Sequence, residues 1–157
     1  TKRRDVRQSE RNSKKAVFLM RTLGIDYGKK RIGIAVSDPL HITAQPVEVI
    51  ENTSSTIDRI KQLCEKYEVG TIVVGLPKNL KGDIAQSAKD VLGFVDKVRR
   101  SLKDIHVITH DERMSTASVI KTLSETEMSG RKKRQVVDKM AAAFILQGYM
   151  DGLKKDS

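Results

Sequence analysis

The sequence predicts an α/β fold: a mixed sheet flanked by helices, with elements in the order βββαβαβα. Three observations carry this. Short runs rich in Val and Ile, such as "TIVVG" at 71–75, alternate with longer segments whose apolar residues recur at helical spacing. The first three strand-like runs follow one another with no helix between them, whereas later strands are separated by helices. The length, 157 residues with 38% hydrophobic content, suits one domain with a real core and does not accommodate two catalytic domains.

The elements follow in order. Arg21 to Tyr27 and Arg31 to Ser37 read as antiparallel strands joined by "GKK", where Gly28 can adopt a positive φ. Gln45 to Ile50 is a third strand. Thr53, Ser54 or Ser55 can cap a helix from about Thr56 to Lys66, in which Ile57, Ile60 and Leu63 share a face. "TIVVG" is a buried strand, too short and too β-branched for a helix. A helix from about Ile84 to Leu102 carries the stripe Ala88, Val91, Leu92, Val95 and Val98. Ile105 to Glu112 is the fifth strand, Ser115 can cap a helix through about Ser124, and the last helix spans roughly Lys132 to Leu153.

Charge and composition narrow the function classes. No apolar run reaches the roughly 18 residues of a membrane span, so no membrane partner is expected. One cysteine, Cys64, cannot form an intrachain disulfide and reads as a small core side chain, consistent with a reducing, cytoplasmic setting. Of the net charge of +10, half comes from residues 1–15, where seven Lys and Arg oppose two acids, leaving +5. Residues 1–19 are expected to form a basic, disordered tail, read as a targeting remnant or sequence foreign to the mature protein rather than a nucleic-acid arm, ahead of a single domain at 20–157. The domain remains basic, which suits polyanionic partners.

The acids carry the chemistry. In the last helix Asp138, Ala142, Ile145 and Tyr149 lie at i, i+4, i+7 and i+11, which places a carboxylate on the stripe that packs against the sheet. An unpaired carboxylate there costs several kcal/mol; a bound divalent cation removes that cost, and so does a nearby lysine. Asp26 ends the first strand, although aspartate before a glycine bend is also ordinary turn chemistry. Asp111 and Glu112 end the fifth. Acids at two strand ends and on one helix face can converge on oxygen-liganded Mg²⁺ or Mn²⁺. His41, His106, His110 and Cys64 have no zinc-ligand spacing.

Four segments, "GIDYGKKRIGIAVSD", "VVGLPKNLKGD", "DERMSTASV" and "VVDKMAAAFIL", stand in the order that resembles the YqgF family of RuvC-like Holliday junction resolvases, over nearly everything from Met20 onward. The resemblance implies a ribonuclease H-like fold with a five-stranded mixed sheet and a metal-dependent nuclease site. It also implies a role in maturing the 5′ end of the small-subunit (16S) ribosomal RNA precursor, beside cleavage of four-way DNA junctions. By the same resemblance Asp26, Glu112 and Asp138 are the catalytic, metal-binding acids, with Asp111 the alternative to Glu112. One or two hard cations held by these oxygens would supply a nucleophile and stabilise the leaving 3′ oxygen.

Basic residues frame that site. Lys78, Asn79 and Lys81 follow the "TIVVG" strand at its carboxyl end and can meet phosphates or bases, although they depart from the commoner "LPLN-DGS" wording of the family. Arg131, Lys132, Lys133 and Arg134 lie beside the start of the last helix, where cations do not favour helix stability but suit phosphate contact. Arg113 and Arg31 can bind phosphates or serve as structural ion-pair partners. The leading expectation is an endonuclease for structured nucleic acid, precursor rRNA or branched DNA, acting as monomer or homodimer. A non-catalytic nucleic-acid-binding module is the other class. An actin-like kinase needs two such domains and more chain.

Overall fold

The computed structural model describes residues 20–77, 82–112 and 130–155. Strands β1 (Arg21–Asp26), β2 (Arg31–Ser37) and β3 (Ala44–Glu51) are followed by helix α1 (Thr56–Lys66), strand β4 (Val69–Pro77), helix α2 (Asp83–Ser101), strand β5 (His106–Glu112) and helix α3 (Arg131–Lys155). The sheet order is β3-β2-β1-β4-β5. β1–β2 and β2–β3 pair antiparallel, β1–β4 and β4–β5 parallel. The five-stranded mixed sheet implied by the resemblance is thus present. The helix expected at Ser115–Ser124 lies outside the described residues.

Strand alternation divides the core into two layers. Leu23, Ile25, Ile32, Ile34, Ile72, Val74 and Val107 face α1 and α2, where they pack with Ile60, Leu63, Val91, Val95 and Val98. On the opposite face small residues admit α3: Ala35 meets Ala142, Leu146 and Met150, and Val73 meets Ala141 and Ile145. A Cβ on Gly24 would lie 2.7 Å from the Leu146 Cβ and 3.0 Å from the Ala142 carbonyl oxygen. Glycine in β1 therefore sets how closely α3 sits. Gln147 ties the helix to the sheet edge: its Oε1 accepts from the Ala44 N–H at 3.0 Å, and its Nε2 donates to the Ile42 carbonyl at 3.0 Å.

Several local expectations change. The positive-φ glycines among the described residues are Gly82 and Gly130, not Gly28. Gly28 is required for a different reason: a Cβ there would stand 2.5 Å from the Arg31 carbonyl oxygen. Asn52 clamps this bend, with Nδ2 donating to the Gly28 carbonyl and N–H to the Lys30 carbonyl, each at 2.9 Å. The α1 N-cap is Ser55, but its side chain makes no capping bond. Instead the Thr56 hydroxyl accepts from the Thr53 N–H and donates to the Glu51 carbonyl. β4 is longer than "TIVVG" because Val69 is buried and pairing with β5 continues to Pro77 opposite Glu112. Arg131–Arg134 form the first turn of α3, which begins one residue before the expected Lys132.

Candidate active site

β1 delivers Asp26 to the α3 side of the sheet. Leu23 and Ile25 point into the α1–α2 core, Gly24 points at α3, and Asp26 follows Gly24 in that alternation. It is 6% exposed. Its cross-strand partner is Gly33 of β2. A Cβ at Gly33 would lie 2.7 Å from the Asp138 carbonyl carbon and closer still to its oxygen. One glycine thus touches both acids, as register partner of Asp26 and as the floor under the α3 backbone at Asp138. Asp138 is 9% exposed and flanked on its helix face by buried Val137, Ala141 and Ala142.

Asp138 has a cationic partner. The Arg31 Nε donates to its Oδ2 at 2.9 Å across 107 residues of sequence. Arg31 is two residues before Gly33, so strand alternation returns it to the α3 face. A lysine partner was one alternative; the partner is an arginine. The phosphate-binding and ion-pair readings of Arg31 meet at one side chain, and the second is the contact observed.

Glu112 enters through its backbone position. It ends β5 opposite Pro77, and position 112 alternates with Ile108 and His110, both of which meet α3: Ile108 packs with Ala141 and Ile145, and the His110 ring stands edge-on to Tyr149 at 6.2 Å. Asp111 alternates with Val107 of the opposite core layer and is exposed. Among the described residues no three carboxylate, imidazole or thiol groups form a metal cage, and the Glu112 side chain is not among them. Asp26 and Asp138 are hard oxygen donors, buried and free of thiol neighbours, a donor set that fits Mg²⁺ or Mn²⁺.

The basic residues divide. Lys133 and Arg134 are exposed in the first turn of α3, which contains no acid to offset them. Lys78, Asn79, Lys81 and Arg113, and the side chains of Arg131 and Lys132, lie outside the described residues. Two features were missed from sequence: the Arg31–Asp138 pair and the close seating of α3 on Gly24 and Gly33. The second had a signal, since Gly24, Gly33 and Ala35 alternate on one sheet face and Ala141–Ala143 offer a matching small-residue patch on the last helix. Among the described residues no helix is long and apolar enough to cross a membrane.

The sequence model of the family described as RuvX, Holliday junction resolvase, matches residues 20–152. A protein of Clostridium botulinum (strain Hall) named "Putative pre-16S rRNA nuclease" is 45% identical over 138 residues, covering 87% of this chain and all of its own. One of the same name from Acetivibrio thermocellus is 45% identical over 139 residues, covering 87% of this chain and 99% of its own. Among solved structures, T. thermophilus RuvC in complex with a Holliday junction substrate superposes with a TM-score of 0.52 at 15% identity, covering 86% of this chain and 96% of its own, a likeness of fold. With a match that takes in β1 through most of α3 and near-complete coverage of relatives at 45% identity, the chain belongs to the RuvX (YqgF) family of nucleases.

Proposed function

We propose that this nuclease is a metal-dependent endonuclease that hydrolyses phosphodiester bonds in 5′-end processing of the 16S rRNA precursor, with Asp26, Glu112 and Asp138 as its acids. The observation that carries the reading is that two buried acids from elements far apart in sequence both stand at Gly33, Asp26 as its register partner and Asp138 through its backbone. The relatives named for pre-16S rRNA direct the substrate assignment.

When bound, Mg²⁺ or Mn²⁺ supplies Lewis acidity to the scissile phosphate and makes a water nucleophilic at neutral pH. The chain's residues prepare for this. Asp26 and Asp138 present oxygens from rigid backbone, a strand end and a helix seated on glycine, which limits the reorganisation required during reaction. Glu112 would add a third oxygen donor from the end of β5. Arg31 holds Asp138 in orientation through its Nε–Oδ2 contact. Lys133 and Arg134, with Lys78, Asn79, Lys81, Arg113, Arg131 and Lys132, would bind flanking phosphates, which positions substrate without reading sequence.

The test is incubation of the purified chain with Mg²⁺ or Mn²⁺ on precursor rRNA and on a four-way DNA junction side by side. Faster cutting of the RNA, at a discrete position, supports the proposal. Preferential, symmetric cutting of the junction would transfer the assignment to resolvase, the activity in the family's description. Tight binding with no cutting of either would leave the binding-module reading. A ribosomal precursor as substrate places the action in the cytoplasm.

A further inference from the structure

The Arg31–Asp138 contact differs in geometry from the other arginine–carboxylate pair of the described residues. Arg59 grips Glu48 at two points, Nε to Oε2 at 3.1 Å and Nη2 to Oε1 at 2.6 Å, on the exposed face of β3 and α1. Arg31 holds Asp138 at one point, Nε to Oδ2 at 2.9 Å. One-point contact is the less specific way for a guanidinium to hold a carboxylate. The Arg31 side chain is also 34% exposed against 12% for Asp138. It therefore sits at the rim of the acidic site with a path to solvent, while Ile32 and Ile34, fully buried behind it, keep β2 in place.

A carboxylate buried without positive charge loses solvation, and a second carboxylate at the same site adds repulsion. Arg31 supplies that charge from within the chain. We infer that Arg31 is the resident counter-cation of the acidic site: its guanidinium stands where a divalent cation's charge is needed, so cation binding and the Arg31–Asp138 contact compete for the same carboxylate. This rests on the reading of Asp26 and Asp138 as cation ligands. The consequence is a site that stays folded without metal, at the cost of weaker cation binding in the absence of substrate.

The test uses the full chain, free of nucleic acid, with Mn²⁺ as probe and electron paramagnetic resonance of unbound Mn²⁺ as readout. Arg31→Met keeps the length and apolar stem of the side chain and removes its charge. Repulsion between a guanidinium and a divalent cation sharing one carboxylate, screened as in bulk water, corresponds to about tenfold in affinity. Arg31→Met should bind Mn²⁺ about that much more tightly, whereas Arg31→Lys, which restores the charge, should bind like wild type. The Mn²⁺-free Met variant should melt at a lower temperature than wild type and show a larger upward shift on adding Mn²⁺. Equal or weaker Mn²⁺ binding by Arg31→Met, with Arg31→Lys folded and binding normally, would overturn the inference and make Arg31 a prop for Asp138. Asp138→Asn is the control: if it binds Mn²⁺ like wild type, the assignment of the cation ligands fails, a result separable from the arginine variants.

Discussion

Gly33→Ala should misplace the catalytic helix with a single methyl group. The added Cβ would meet backbone, 2.7 Å from the Asp138 carbonyl carbon, with the Lys139 nitrogen at 3.4 Å behind it. Backbone cannot swing aside as a flexible side chain does. Restoring ordinary contact requires α3 to retreat by about 1 Å at Asp138, in an interior packed too densely to absorb the shift. Overpacking of this kind costs about 1–3 kcal/mol of stability. A displacement of about 1 Å in a catalytic group costs on the order of 10²-fold in rate. Urea unfolding and a single-turnover cleavage assay on the same preparation read both effects. Gly93→Ala is the matched control, because nothing lies within 4 Å of its added Cβ in the middle of α2; it should stabilise by about 0.5–1 kcal/mol and leave cleavage unchanged. If Gly33→Ala cuts at the wild-type rate with unchanged stability, α3 is not held on Gly33 as described.

Other outcomes follow from the same geometry. Asp26→Asn, Glu112→Gln and Asp138→Asn should each abolish cleavage in the same assay while circular dichroism shows the fold retained. From sequence alone neutralising these acids preserves or raises the stability of the metal-free chain; the Arg31 contact reverses this for Asp138→Asn, which should lose about 1 kcal/mol after allowance for the partial exposure of Arg31. Replacing Arg131–Arg134 with alanine should weaken binding across nucleic-acid sequences and flatten the salt dependence by about one unit or less per lost phosphate contact, without loss of stability, since cations at a helix N-terminus do not support it. Cys64 should resist thiol reagents at pH 8 until the chain is unfolded, because burial, followed by the charge of Glu65, pushes its thiol from an ordinary 9.0 to about 12. Since the unfolded thiol ionises first, this group's contribution is fully present below about pH 9 and is lost as pH rises toward 12, so stability should fall over that window.

Strands and helices were legible because their signals are local. The β-branched runs at 21–26, 31–37 and 71–75 announce buried strands, and the spacing of Asp138, Ala142 and Ile145 places a carboxylate on a packing face without reference to any other element. Arg31 was not assignable, because its partner is 107 residues away and is fixed only by the β1–β2 register and the seating of α3. The face of β5 that meets α3 was equally closed to local reasoning, since it is set by the packing of Ile108 and His110 against that helix. Gly28 shows the limit of turn chemistry. Its presence at a bend was legible, but the cause is a close carbonyl rather than a left-handed backbone.

Metal-dependent cleavage is tested by a Mg²⁺ titration of the EDTA-stripped chain on precursor 16S rRNA, with Asp138→Asn run in parallel and product ends mapped. Wild type should not cut without Mg²⁺ and should cut saturably with it, leaving a 5′ phosphate and a 3′ hydroxyl, whereas the variant should not cut at all. Cutting in EDTA, or cutting by Asp138→Asn at the wild-type rate, would contradict a metal-dependent site that includes Asp138.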